Sequence, residues 1–170
     1  HLQELRASGL RDETIRAAGI FSATDRNRIA EILNWQTVAA RMSSGLVFPF
    51  RDGNGPNGYA RIKPDHPRRK NGRVIKYESP RGRSNELYVP PNTFAALTDP
   101  TVLLLITEGE KKSLAADQHG MACLGLVGVY GWKDASGERM LPALERVAWR
   151  NREVVIVFDS DVRHNPDNQT

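Results

Sequence analysis

Val102-Leu103-Leu104-Leu105-Ile106 runs without a polar interruption into Thr107-Glu108-Gly109-Glu110-Lys111-Lys112, and Val154-Val155-Ile156-Val157-Phe158 runs the same way into Asp159-Ser160-Asp161. Both apolar runs are short and rich in branched residues, as parallel strands covered on both faces are. Each delivers carboxylates at its C-terminal end, the edge where open α/β sheets bind ligands. If the strands are neighbours, Glu108, Asp159 and Asp161 converge on one small volume. Like charges that close raise one another's pKa unless a cation compensates them. A hard divalent ion is the simplest such cation, with Mg²⁺ the default for few carboxylates and room for water and phosphate. Taken alone, an Asp-x-Asp after a strand is as often a solvated strand end or a helix cap; the full order of strand, Glu-Gly turn, helix, strand and acidic pair is far rarer.

Between these runs the pattern alternates. Ser113 to Gln118 reads as a helix ended by Gly120, Met121 to Val127 as a buried strand, and Leu141 to Trp149 as a second crossover helix with Leu144, Val147 and Ala148 on one face. Strand, helix, strand, helix, strand implies right-handed crossovers and a parallel sheet. The expected fold class is therefore α/β over residues 101–170, and this domain is expected to be incomplete at its C-terminal side, because Asn165 to Thr170 follow so soon after a strand.

The upstream chain divides in two. Residues 1–35 read as small helices: Ser8-Gly9-Leu10 makes a turn, Asp12 caps a segment that Gly19 ends, and Thr24 or Asp25 caps a third that ends near Leu33. Simple packing is the commoner role of such a cluster. Residues 46–92 change to short extended pieces of an antiparallel, α+β character. Leu46 to Phe50 and Tyr59 to Lys63 flank a loop dense in Gly and Asn and are expected to pair. Leu87 to Val89 is a further extended piece, and Thr93 to Leu97 a short helical one.

The chain's 170 residues suffice for one full domain or two small ones. No apolar run approaches the roughly 18–20 residues that span a bilayer, and no signal segment opens the chain, so no membrane partner is expected. The single cysteine, Cys123, excludes an internal disulfide and a cysteine-based zinc ribbon within this sequence and points to a reducing, cytoplasmic setting. The histidines His66, His119 and His164 lack ligand-like spacing.

Net charge is +4, and its location matters more than its size. From residue 61 to 83 the chain carries Arg61, Lys63, Arg68, Arg69, Lys70, Arg73, Lys76, Arg81 and Arg83 against Asp65 and Glu78 alone. Tyr59 and Tyr77 interleave with them. Such a mixture suits a groove that follows a nucleic-acid backbone and stacks bases; the plain alternative is a solvated loop.

Together, Glu108-Gly109 after an apolar strand, a helix ending in His119-Gly120, the strand with Cys123-Leu124-Gly125, and Phe158-Asp159-Ser160-Asp161 resemble a Toprim domain, the catalytic fold of bacterial replicative primases, type IA and type II topoisomerases and some nucleases. Thr107 to Lys112, the Asp-Ser-Asp-Val ending and Ser8-Gly9-Leu10 look more narrowly like the primase-type replication proteins of plasmids, phages and integrated elements, in which this domain often precedes a helicase. The Toprim resemblance covers about residues 101–161. It implies that Glu108 acts as general acid or base in nucleotidyl transfer or helps hold a metal, and that Asp159 and Asp161 coordinate Mg²⁺ or Mn²⁺. Carboxylates on rigid strand ends would hold a metal that orients the triphosphate and neutralises developing charge. Lys111 and Lys112, in the first turn after the Glu-Gly corner, are placed to bind nucleotide phosphates, or are simply an exposed helix start.

The sequence departs from that family at one position. Replicative primases usually carry another acid four residues beyond the glutamate, where this chain has Lys112. A lysine does not bind Mg²⁺, so Glu110 substitutes, Lys112 binds phosphate directly, or catalytic capacity is reduced. The expected activity is a primase-like nucleotidyltransferase acting on single-stranded DNA or RNA with nucleotides, beside or fused to a helicase. The alternatives are a Toprim nuclease and a non-catalytic nucleic-acid-binding module. A topoisomerase fits less well, for want of a nucleophilic tyrosine context.

Overall fold

A computed structural model describes residues 1–35, 42–134 and 136–159. The chain divides into two units, His1–Glu86 and Leu87–Thr170.

In the first unit, short helices precede an antiparallel sheet. Helix α1 spans Leu2–Ala7 and α2 spans Asp12–Ala17. Gly9 (φ 81°) and Gly19 (φ 69°) end them in the left-handed region that glycine adopts without strain. Helix α3, Arg26–Leu33, is capped by the Asp25 carboxylate, which accepts from the backbone N–H groups of Asn27 and Arg28. Strands β1 (Phe21–Ala23), β2 (Gly45–Arg51) and β3 (Pro56–Pro64) form a sheet in that order, antiparallel throughout. Strand β1 lies where only helices are expected; three residues are too few for a period of two to register. Ile29 and Leu33 of α3 pack with Ala23, Met42, Val47 and Ile62 into one core.

A second two-stranded ribbon follows: β4 (Arg69–Lys70) pairs with β5 (Arg73–Val74). Asn71 (φ 51°) and Gly72 (φ 78°) form the turn. Two consecutive left-handed residues give the type I′ geometry that matches the twist of a tight hairpin.

The second unit carries the stretch that decides the fold. Strands β6 (Leu104–Glu108), β7 (Cys123–Leu126) and β8 (Val154–Val157) form a parallel sheet in the order β7-β6-β8. The two carboxylate-bearing runs are therefore adjacent strands, with Leu104 to Thr107 opposite Val154 to Val157. Helix α4, Glu110–Asp117, crosses from β6 to β7. Leu104, Leu124, Leu126, Leu141, Leu144 and Val147 belong to the core of this unit.

Strand β6 begins two residues later than the apolar run does. Asp99 Oδ1 accepts from the Thr101 N–H (3.0 Å) and hydroxyl (2.6 Å), which holds Asp99 to Thr101 in a turn. Val102 and Leu103 are left exposed before the sheet starts.

The expected second crossover helix is not an α-helix. Only Pro142–Arg146 turns, as a 3₁₀ helix. An α-helix needs the Ala148 N–H on the Leu144 carbonyl. Instead Ala148 donates to Leu97 O (2.8 Å) and the Trp149 indole takes Leu144 O (2.8 Å). Leu141, Leu144 and Val147 still bury one face, because i, i+3 spacing also aligns along a 3₁₀ turn.

Candidate active site

Glu108 is the last residue of β6, and Gly109 (φ 88°, ψ 160°) turns the chain into α4. A parallel strand that feeds a helix must reverse within a residue or two, and glycine supplies the backbone conformation for it. Thr107 and Val157 are the last register pair of β6 and β8, so Glu108 and Asp159 leave the sheet at the same edge. Side chains alternate along strands. Glu108 thus follows Ile106 on one face of β6, while Asp159 lies two residues past the end of β8, where the alternation of the strand no longer applies.

Asp159 meets Lys112 there. The Lys112 ammonium donates to Asp159 Oδ1 at 2.5 Å. Lys112 rests above a cavity of about 430 Å³ that Leu105, Thr107, Ala115, Met121, Cys123 and Val157 also line. Glu110, the residue offered for the missing acid, is by contrast 1% exposed and folded into the start of α4, and it is Lys112 that reaches Asp159. Lys111 is half-buried on the same turn. Asp161 lies outside the described residues.

The surrounding polar groups fasten the rim without entering it. The Thr107 hydroxyl donates to Val157 O (2.8 Å), linking β6 to β8 one residue before Glu108 and two before Asp159. Buried Asp117, at the far end of α4, accepts from Asn92 Nδ2 (2.9 Å) and the Thr93 hydroxyl (2.8 Å), and that hydroxyl in turn accepts from the Cys123 N–H (3.0 Å). Burial, and secondarily the Asp117 charge, push the Cys123 thiol up to about 12. A thiol so held is structural.

Two features escaped the sequence reading. The Lys112–Asp159 pair is one; its only signal is a lysine four residues, one helical turn, beyond Glu108. Arg152 is the other. Its guanidinium donates to the carbonyls of Val102 (3.0 Å), Leu97 (3.0 Å), Ala148 (3.3 Å), Asp99 (2.7 Å) and Ala96, tying the entry of β6 to the entry of β8.

Among the described residues no group of three His, Cys, Asp or Glu side chains stands together as a metal site. The donors at the rim nonetheless suit a hard cation. They are carboxylate oxygens on rigid strand ends, and Mg²⁺ characteristically uses one or two carboxylates and keeps several waters. Asp159 already takes a positive group, Lys112, in that position.

Several cations of the basic stretch already have partners within the first unit. Arg68 makes a paired hydrogen bond to buried Glu78 (2.5 and 2.9 Å) and lies 5.5 Å from the Trp35 ring centroid; the Glu78 carboxylate raises the Arg68 pKa further. Arg61 lies over Tyr77 (4.8 Å) and Arg83 over Tyr59 (5.4 Å). Lys63 pairs with Glu4 (2.8 Å). Both tyrosines therefore already carry a cation on the ring. Arg69, Lys70 and Arg73 lie exposed on the β4–β5 hairpin, and Lys76 and Arg81 are exposed beyond it. No described helix is long and apolar enough to cross a membrane.

The family model that matches is a domain of unknown function, DUF3854, over residues 95–169, less than half the chain. A comparison with curated proteins by sequence finds no match. Solved structures do match. The zinc-binding and RNA polymerase domains of the Aquifex aeolicus primase align with a TM-score of 0.61 at 11% identity, over 93% of this chain and 42% of that one. A DnaG primase catalytic domain bound to ssDNA aligns at 0.59 and 18%, over 98% and 57%. A DNA primase domain from Pseudomonas aeruginosa aligns at 0.57 and 18%, over 96% and 67%. The chain thus spans less than half the length of the Aquifex structure. Likeness at this identity establishes architecture, and the architecture is the Toprim-like α/β fold of primase catalytic cores.

Proposed function

We propose that this chain is the catalytic portion of a metal-dependent, primase-like nucleotidyltransferase that works on single-stranded nucleic acid. The observation that carries the reading is the placement of Glu108 and Asp159 at one edge of adjacent parallel strands, within a fold shared with primase cores. Glu108 and Asp159, joined by Asp161, would hold Mg²⁺ or Mn²⁺. The metal would supply charge neutralisation at the triphosphate and a template for the attacking primer oxygen. Glu108 is the candidate to move the proton of that oxygen, and Lys111 and Lys112 are the candidates for phosphate oxygens. The exposed cations of the β4–β5 hairpin, with Lys76 and Arg81, would hold the template backbone. One matching primase domain carries ssDNA, which supports the same class of ligand here. A helicase partner and a plasmid, phage or integrated-element origin follow from the resemblance of Thr107 to Lys112 and belong to this proposal.

One observation favours a second reading. Lys112 gives Asp159 a positive partner from the chain itself, as a binding module without turnover would allow. The two readings separate in one experiment: titrate Mg²⁺ or Mn²⁺ into the wild type and Asp159→Ala with a labelled single-stranded template and nucleotides. Primer synthesis that Asp159→Ala abolishes supports the enzyme, template cleavage without nucleotides supports a nuclease, and binding with neither activity supports the module.

A further inference from the structure

Lys112 projects from a firmly seated helix. The Ser113 hydroxyl, fully buried beside it, donates to Gly109 O and Glu110 O (3.2 and 3.0 Å), and Leu114 is fully buried. The pair is open to water: the Lys112 side chain is 46% exposed and that of Asp159 is 56% exposed. Ion pairs this open to water are weak enough to exchange. A divalent cation on Asp159 would share a carboxylate whose Oδ1 Lys112 already holds, and an ammonium within a few ångströms repels it.

We propose that Lys112 is an exchangeable internal counter-ion: it competes with the divalent cation for Asp159, and the bound metal releases it to an anionic oxygen of the nucleotide phosphate chain. This rests on the reading that Glu108 and Asp159 hold a metal. Its consequence is coupling. In the resting protein Lys112 offsets the charge of Asp159 and keeps metal affinity low, and once the nucleotide brings its own negative charge the lysine gains a better partner. Metal and nucleotide then bind more tightly together than either does alone.

The test is calorimetric titration of Mn²⁺ alone into wild type, Lys112→Met, Lys112→Arg and Asp159→Asn, each verified as folded by circular dichroism. Lys112→Met binds Mn²⁺ roughly three- to tenfold more tightly than wild type, as removal of one nearby positive charge implies. Lys112→Arg, which keeps the charge, stays near the wild-type affinity, and Asp159→Asn loses the site. With saturating Mn²⁺, a non-hydrolysable nucleoside triphosphate binds severalfold more weakly to Lys112→Met than to wild type. If Mn²⁺ affinity in Lys112→Met is unchanged or lower while Asp159→Asn still abolishes binding, the exchange is overturned and the metal reading stands. If neither wild type nor Lys112→Met has a site that Asp159→Asn removes, the metal reading falls and the inference with it.

Discussion

Asp159 and Cys123 sit in opposite environments, one open to water and one buried. Asp159 is exposed and paired with Lys112, so its removal costs the fold about 0–1 kcal/mol. Asp159→Ala is expected to lose Mn²⁺ binding and primer synthesis while its thermal midpoint stays close to wild type. Glu108→Gln, at the end of β6, should likewise lose activity and keep the fold. Cys123 is the opposite case, 1% exposed and with its thiol held up to about 12. The thiolate is the reactive form, so a thiol reagent at neutral pH should modify the urea-unfolded protein and spare the native one. The sign of the pH effect follows from linkage. The folded thiol keeps a proton that the unfolded one, with its ordinary value near 9, releases; stability is unaffected well below pH 9 and falls as pH rises from about 9 toward about 12. Urea midpoints at pH 7.5 and 10 measure this, and Cys123→Ala should remove its share of the alkaline decline.

The rim is as rigid as the elements behind it. Gly125 in β7 has no room for a side chain: a Cβ there would meet Ser113 Oγ at 2.8 Å, Gly109 O at 3.0 Å and Tyr88 Cβ at 3.2 Å. Gly125→Ala would lift α4 from the sheet, at a cost of roughly 1–3 kcal/mol by urea denaturation, and carry Lys112 with it. Arg152→Ala strips donors from five carbonyls and should cost roughly 2–4 kcal/mol, with little rescue by lysine, which lacks the planar fork. These elements also mark what could be read from the chain. The strands β6, β8, β2 and β3 were legible because their periodicity is local, and the turn at Gly9 because turns are local chemistry. That β6 and β8 are neighbours stayed conditional, the cap of α3 stayed open between Thr24 and Asp25, and Asp12, expected as a cap, lies inside α2 with its carboxylate on Arg6. The 3₁₀ turn at Pro142–Arg146 was not legible, because Leu97 and Trp149 decide which hydrogen bonds Ala148 and Leu144 make. The Lys112–Asp159 pair spans 47 residues, and no local pattern announces such a contact. That two apolar runs each end in a carboxylate was readable; the lysine that sits on Asp159 was not.

At the scale of the whole molecule, charge is divided between the two units. The carboxylate edge belongs to the second. The first holds nine cations between Arg61 and Arg83 against two acids, in a chain whose net charge is +4. Composition treats those nine as equivalent, but the structure does not. Arg68 is committed to buried Glu78, and reversing it would leave that carboxylate without its paired donor, so a loss of binding in an Arg68 variant would report unfolding as readily as lost contact. Arg69, Lys70 and Arg73 on the exposed β4–β5 hairpin permit a cleaner test, since this ribbon lies outside the core of its unit. Each phosphate neutralised on a single strand contributes about 0.7 to the slope of log affinity against log salt. The triple variant Arg69→Glu, Lys70→Glu, Arg73→Glu should therefore bind a single-stranded oligonucleotide more weakly, with a slope shallower by about 2, and should keep the wild-type melting temperature. A slope equal to that of wild type would assign the hairpin to solvent and move template binding to Lys76, Arg81 or the second unit.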